Sequence, residues 1–277
     1  AASYHNQQNT YGPRQWNAAQ TNAYLNAIFQ TSFDDFTTDL NDNHQHNLSA
    51  GFSVNFDRYD ESLSPHALLP SSFIASSMET TPGLFVEYTY SYKDKLTLLA
   101  GVREDYSTRY GFFTTPRMNV RFAPFEWWTI RGSVGLGYRT PNAVADNAAF
   151  LASSRAYDFN VTTLAQERSM NTGISTVFYI PMGKRELQLS GEYYYTKFLD
   201  GVIADMDRNL HGITLYNMHD VDGAQYFSHN WQVEATMEIL RGWTMTAAFR
   251  YTDVKQTTFN TTANEYQLRD KPLQNKF

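Results

Sequence analysis

Aromatic side chains gathered in two predicted loops are the residues of this chain best suited to hold a ligand. The predicted 104–113 loop and the predicted 139–165 loop each carry several such rings. Aromatic rings beside a cleft can hold a ligand such as a sugar by stacking. The same rings would also serve loop-to-loop packing or an aromatic girdle at a membrane surface, and the sequence leaves both alternatives open. The candidate ligand-binding residues are Tyr106, Tyr110, Phe112 and Phe113 in the first loop, and Phe150, Tyr157 and Phe159 in the second.

The sequence gives less support to a metal site or a catalytic site than to aromatic ligand binding. An acidic stretch could offer oxygen ligands to calcium, but it lacks the regular spacing around a glycine of a dedicated calcium loop, so a solvated turn is favoured. A second group of His and Met residues could bind a metal or haem, but it shows no fixed spacing. No nucleophile motif surrounds any Ser, so we expect neither an enzyme nor a resident cofactor. The acidic stretch comprises Asp34, Asp35, Asp39, Asp42, His44 and His46, and the second group comprises Met206, His211, Met218 and His219.

Residues 126–138, EWWTIRGSVGLGY, show the element that must position these side chains. The even positions from Trp128 to Tyr138 are mostly apolar, whereas most of the odd positions between them are small, hydroxylated or charged. A period of two residues predicts a strand whose faces lie in different surroundings. Aromatic ends around an aliphatic middle are typical of a strand that faces lipid.

The pattern recurs in hairpins, and the connections between them are unequal. Short turns are predicted at 92–95, 123–126, 181–185 and 240–242, and long loops at 58–82, 139–165 and 199–224. Short periplasmic turns opposite long extracellular loops are typical of an outer-membrane barrel. The sequence therefore predicts an all-β fold, a transmembrane antiparallel β-barrel with about ten to eleven strands present. A soluble β-sandwich remains the alternative, because its strands also alternate.

Composition narrows the choice further. The 277 residues carry a net charge of −6 and no basic patch, which argues against a nucleic-acid partner. No run approaches the eighteen apolar residues of a membrane helix. There is no cysteine, so neither a disulfide scaffold nor a thiolate metal site is available.

The end of the 126–138 strand resembles a known family. The run IRGSVGLGYRTPNAVADN, residues 130–147, resembles the "R-x-S-x-G-x-G-[YF]-R-x-P" segment of TonB-dependent outer-membrane receptors. Further segments resemble other parts of the family in the expected order, although Ala165-Gln166-Glu167 replaces the usual Pro-Glu pair. These segments are LLAGVRED (98–105), TTPRMNVRFAP (114–124), LAQERSMNTGIS (164–175) and KPLQNKF (271–277). Within the family, the chain is most similar to receptors of Bacteroidetes type.

The resemblance implies both an architecture and a function. Residues 1–277 would form part of a 22-stranded barrel, with no plug domain, no signal peptide and the later strands missing. The function would be TonB-dependent active import of a scarce nutrient, such as a siderophore, haem, cobalamin or a glycan. Arg139, whose equivalent faces the lumen near the plug, becomes a candidate for substrate steering or plug contact, as does Arg131.

The resemblance also implies partners. These are the TonB complex, reached through the plug, the outer-membrane lipid, and a surface lipoprotein. A passive porin-like or adhesin-like barrel and a soluble carbohydrate-binding β-domain are the alternative functions.

Overall fold

A computed structural model describes residues 1–12, 14–34, 44–64, 73–153, 156–158, 164–208 and 212–271. Within these ranges the chain forms fifteen strands and two short 3₁₀ helices. Twelve strands pair in a single antiparallel sheet, and β8, β11 and β12 form a small second sheet. The strands are β1 (Ala2–Tyr11), β2 (Arg14–Asp34), β3 (His44–Leu63), β4 (Phe73–Tyr92), β5 (Leu96–Ser107), β6 (Gly111–Phe125), β7 (Trp128–Arg139), β8 (Ala156–Asp158), β9 (Glu167–Met182), β10 (Arg185–Asp200), β11 (Val202–Asp205), β12 (Gly212–Asn217), β13 (Tyr226–Leu240), β14 (Trp243–Asn260) and β15 (Glu265–Asp270).

The large sheet is a meander with two chemically different faces. Each strand pairs with its neighbour in the order of the chain, and β1 and β15 are the two edges. Ile130 on β7 lies opposite Phe122 on β6, while Arg131 lies opposite Arg121, so apolar and polar rows alternate across the strands. Large side chains of the apolar face are exposed, among them Trp231 at 50% and Phe249 at 68%. Such exposure is the pattern of a face that meets lipid.

The prediction of about ten to eleven strands compares with twelve in the large sheet and three short strands in the second sheet. Several strands are also longer than hydrophobic alternation indicates. The predicted loop at 58–82 is mostly strand, since β3 continues to Leu63 and β4 begins at Phe73. With 20 residues each, these strands exceed the roughly 9–11 residues that cross a bilayer. Beyond the bilayer both faces can be polar, so backbone pairing continues where the alternation has ended. The edge strands β1 and β15 have ten and six residues.

The two rims of the sheet differ in their connections. We call one the short-turn rim, because β4–β5, β6–β7, β9–β10 and β13–β14 are joined there by two or three residues. Gly183 and Gly242 supply positive φ angles of 70° and 79° in two of these turns. Rings stack beside the rim, with Trp127 5.2 Å from Phe125 and Trp128 5.8 Å from Phe178.

The opposite, long-connection rim carries the segments that join β7 to β9 and β10 to β13. Short turns also occur there, at 108–110 and 261–264, so the division between the rims is less strict than predicted. The described parts of the two long segments fold together into a cap that contains the 3₁₀ helices Ala145–Ala152 and Met218–Asp220. No helix in the described part of the chain is both long and apolar enough to span a membrane.

An apolar core attaches the cap to the sheet. Leu151 and Ile213, from the two long segments, are 1% and 0% exposed. They pack in one cluster with residues of β2 and β3, so the cap is a folded unit fixed to the sheet. The fully buried members of this core are Trp16, Ala18, Leu63, Val144, Leu151, Ile213 and Leu215.

Candidate functional site

A cavity of about 590 Å³ lies where the cap meets the polar face. The ends of β2, β3 and β4 form one wall, and residues 140–145, which directly follow β7, form the other. Its volume is in the range of small-molecule sites. The polar lining residues are Gln20, Asp57, Tyr59, Glu61, Ser76, Ser77, Glu79, Arg109, Thr140 and Asn142.

Three carboxylates in this lining accept hydrogen bonds from neutral donors. Asp57 accepts from Gln20 Nε2 at 3.0 and 3.1 Å. Glu61, which is 6% exposed, accepts from Trp16 Nε1 at 3.3 Å. Glu79 accepts from Thr140 Oγ1 at 2.8 Å and from Ser107 Oγ at 2.5 Å. Within the described ranges, no Lys or Arg forms an ion pair with any of the three.

Tyr59 also lines the cavity. Its hydroxyl oxygen is buried and has no hydrogen-bond partner among the described residues. A buried hydroxyl without a partner costs free energy.

The arginines around the cavity are largely neutralised by other carboxylates. Arg139 Nη1 lies 2.6 Å from Asp146, and its Nη2 lies 2.7 Å from Glu167. Arg103 is paired in the same way with the buried Asp105 at 2.5 Å. Arg139 therefore holds the cap to the ends of β7 and β9.

The predicted aromatic loop at 104–113 is a tight hairpin, because β5 ends at Ser107 and β6 begins at Gly111. Tyr106 and Phe112 lie directly opposite each other with ring centroids 4.8 Å apart, and they are 42% and 75% exposed. They follow the apolar row of their strands, as an aromatic girdle would. Phe113 is 8% exposed and packs on Tyr138 at 3.8 Å, so it is part of the wall.

Tyr110 is the last residue of the turn in this hairpin and directly follows Arg109. It is half-buried and its hydroxyl has no partner among the described residues. Burial raises the pKa of its phenol, so the hydroxyl stays protonated and can donate a hydrogen bond. The neighbouring Arg109 lines the cavity, and its guanidinium lies 5.4 Å from the Tyr110 ring centre.

The three aromatic candidates of the second predicted loop lie in different places, and one of them is outside the described ranges. Phe150 packs against the cap core and lines a second cavity, of about 740 Å³, between the cap and the ends of β13, β14 and β15. The backbone of Tyr157 belongs to β8, opposite Ile213, and its side chain lies outside the described set. Phe159 lies wholly outside the described ranges.

Sequence reasoning missed the acidic lining of the cavity. Asp57, Tyr59 and Glu61 continue the polar row of β3 at a spacing of two residues. The sequence shows this alternation, but its Ser and Pro residues predict a loop from 58 onward, where the structure has the end of β3.

The predicted metal-binding groups do not form a site in the described part of the chain. His44 Nδ1 lies 2.7 Å from the Tyr90 hydroxyl, and His46 Nδ1 lies 2.6 Å from the Tyr88 hydroxyl. No three His, Asp or Glu side chains among the described residues come together as metal ligands. Residues 35–43 and His211 lie outside the described set.

At the short-turn end of the polar face the charge has the opposite sign. Arg121 and Arg131 lie directly opposite each other on β6 and β7. Both line a cleft of about 300 Å³ whose other polar groups include Asn119 and Ser175. Like charges placed opposite each other destabilise a strand pair, so this end of the wall favours an anionic neighbour.

Together these features define a membrane sheet with a lipid face, a polar face and a folded cap at one rim. A family model described as "TonB dependent receptor-like, beta-barrel" matches residues 1–275. The chain belongs to the TonB-dependent receptor β-barrel family, whose members are outer-membrane proteins of Gram-negative bacteria. Family and fold are those of receptors and transporters, not enzymes, and the all-β barrel fold is confirmed.

Solved structures show the same fold at low sequence identity. The siderophore receptor PirA from Pseudomonas aeruginosa matches with a TM-score of 0.51 and 13% identity, over 92% of this chain and 56% of that one. The alcaligin receptor FauA from Bordetella pertussis matches with a TM-score of 0.55 and 13% identity, over 92% of this chain and 43% of that one. The RagAB peptide importer matches with a TM-score of 0.57 and 10% identity, over 88% of this chain and 31% of that one. The chain thus spans 31% to 56% of these structures, and no curated protein sequence matches it.

Proposed function

We propose that this chain forms part of the barrel wall of a transporter that actively imports a scarce nutrient across the outer membrane, driven by the TonB complex. The family match over residues 1–275 carries the proposal. A sheet with an exposed apolar face and a hydrogen-bonded polar face also suits the wall of an aqueous passage.

The proposed transporter contains more than this wall. Because the chain spans 56% or less of the solved structures named above, we propose further strands that complete a barrel of 22, and a plug domain that contacts TonB. Arg121 and Arg131 are suited to hold an anionic group of such a plug. A surface lipoprotein is a further proposed partner.

Substrate would enter at the long-connection rim and bind in the cavity beneath the cap. Thr140 and Asn142, which follow the family-like end of β7, line that cavity directly. We propose two of the predicted aromatic residues as substrate contacts: Phe150, which lines the second cavity, and Tyr110, whose neighbour Arg109 lines the first. The substrate classes considered are siderophores, haem, cobalamin and glycans, together with peptides, because the neighbours include siderophore receptors and a peptide importer.

An uptake experiment tests this function. Cells that express the complete receptor, in otherwise identical strains with and without TonB, would be supplied with members of these substrate classes one at a time. We expect accumulation of one class that requires both the receptor and TonB. Uptake that requires the receptor but continues without TonB would contradict the proposal and favour a passive porin-like barrel.

A further inference from the structure

The cavity beneath the cap concentrates negative charge that the described residues do not neutralise. Asp57, Glu61 and Glu79 line it together, whereas Arg109 is the single cationic side chain among its lining residues in the described part of the chain. Each carboxylate is hydrogen-bonded, but only to neutral groups. A partly buried carboxylate gains most from a positively charged partner, because the surrounding dielectric is lower than that of water.

The nearby arginines do not supply that partner. Arg139 is held by Asp146 and Glu167, and Arg103 is held by Asp105. If Arg103 left its partner, the buried Asp105 would be unpaired at a large cost, and Arg139 would give up two existing ion pairs. Arg109 can offset at most one of the three carboxylates, so the others remain open to a cation from outside this set.

A metal ion is also a poor candidate. No three acidic or imidazole side chains among the described residues converge as metal ligands. The three carboxylates are instead distributed over the wall of a cavity of about 590 Å³. Charges spread over a wall of this size suit an extended organic molecule.

The other residues that line the cavity indicate which further chemical groups a fitting ligand carries. Leu164, Leu215 and Pro141 contribute apolar surface, and Ser77 and Asn142 are among the neutral polar residues of the lining. A ligand that fits has a positively charged group beside apolar and hydrogen-bonding parts.

We infer that this cavity binds the positively charged group, an ammonium or a guanidinium, of an organic substrate. The inference rests on the proposed transport function and narrows its substrate class to amine-bearing molecules. Anionic ligands are disfavoured, because they would meet three carboxylates and one arginine. Asp57 and Glu79 are the specificity-determining residues, since both line the cavity and neither is paired with a cation among the described residues.

A binding experiment on the complete receptor in detergent tests the inference without TonB. The probe is the peptide amide Ala-Lys-Lys-Ala, and the comparison peptide is the same molecule with all its amines acetylated. The variants are Asp57→Asn and Glu79→Gln, which remove charge with little change in shape. The control is Glu104→Gln, a carboxylate on the apolar row of β5 whose side-chain partner is Thr114.

We expect the free peptide to bind and the acetylated peptide not to bind. Each cavity variant should weaken binding about tenfold, with a steep dependence on salt, because one charge contact is lost. The control should bind as the native receptor does. Equal binding of the two peptides, or unchanged binding by both cavity variants, would overturn the inference.

Two further outcomes are informative. Glu79→Gln also alters the contacts to Ser107 and Thr140, so Asp57→Asn, whose side-chain partner is Gln20, keeps the test decisive if the first variant fails to assemble. If both variants lower the melting temperature but bind the peptide normally, the carboxylates hold a plug side chain and the inference is wrong. TonB-dependent uptake of an anionic substrate, with no peptide binding, would overturn the inference but leave the proposed function intact.

Discussion

The two ends of the polar face are built for different tasks. At the long-connection end, a buried apolar core fixes the cap to the sheet, and a cavity lies between them. Three carboxylate side chains and one arginine line that cavity. At the short-turn end, Arg121 lies opposite Arg131 on the neighbouring strand, and only two or three residues join β4 to β5, β6 to β7, β9 to β10 and β13 to β14. One continuous sheet thus carries the end that we propose to bind substrate, called the binding end, and the end that we propose to contact a plug.

The two ends differ because the connections between strands differ in length. A turn of two residues can only reverse a strand, so the short-turn rim depends on glycines with positive φ and on stacked rings. The segments after β7 and β10 are long enough to bury side chains of their own, and their apolar residues form a core with β2 and β3. Variants that act at one end and spare the other therefore test this division.

Gly83→Ala should have the largest effect and should act at the binding end. A Cβ at Gly83 would lie 1.8 Å from Asp105 Oδ1 and 2.6 Å from Arg103 Nη2. The substitution would force apart an ion pair whose carboxylate is fully buried, at a cost of about 3 kcal/mol or more. Denaturant unfolding followed by tryptophan fluorescence measures the loss.

Gly132→Ala on β7 is the matched control, because the nearest atom to its Cβ would be Gly173 O at 4.0 Å. It should change the free energy of unfolding by less than about 1 kcal/mol. Equal losses in the two variants would show that the Arg103–Asp105 pair does not support the wall.

Leu151→Ala should loosen the cap and spare the sheet. Leu151 is 1% exposed in the cap core, and removal of such a side chain costs about 2–5 kcal/mol. We expect faster proteolysis within 140–166 and 201–225, with unchanged heat-modifiable migration of the barrel on gels. Leu84→Ala, at a position 67% exposed on the apolar face, is the control and should leave the cap resistant.

Arg139→Gln should have a smaller effect, confined to cap docking. The substitution removes both ion pairs of a side chain that is 54% exposed, and solvent screening limits the loss to about 1 kcal/mol. If Arg139 were instead a direct substrate contact, substrate affinity would fall by much more than cap stability. Proteolysis rates and substrate affinity measured on the same variant separate the two roles.

The smallest effect is a pH dependence of the cap. Burial raises the pKa of the Tyr216 phenol above its ordinary value of 10.0, and its hydroxyl donates to Thr257 O at 2.8 Å. Below 10.0 the phenol is neutral in both folded and unfolded chains, so its contribution is constant. Above that value the unfolded chain loses its proton first, and this contribution is lost as the pH rises towards the folded pKa. Cap proteolysis should therefore accelerate at alkaline pH, and less so in Tyr216→Phe.

Much of the wall was predictable from the sequence, and most of the binding end was not. Alternation around Trp128 and the hairpin turns gave the strands that cross the bilayer, because there each side chain faces either lipid or water. Past the bilayer that contrast vanishes, so the ends of β3 and β4 were assigned to a loop, and Glu61 and Glu79 were missed. Phe113 was expected to contact ligand but packs on Tyr138, because ring composition alone does not distinguish a wall from a binding surface.

Cysteine labelling of intact cells shows which of the two rims faces the outside of the cell. The chain has no cysteine, so Arg109→Cys at the tip of the β5–β6 hairpin and Lys184→Cys at the tip of the β9–β10 hairpin each create a unique label site. Both native side chains are exposed cations in tight turns, on opposite rims. We predict that a membrane-impermeant maleimide labels position 109 on intact cells, and labels position 184 only after the outer membrane is permeabilised. Labelling of position 184 on intact cells, with position 109 protected, would show that the short-turn rim faces outward and would contradict the proposed orientation.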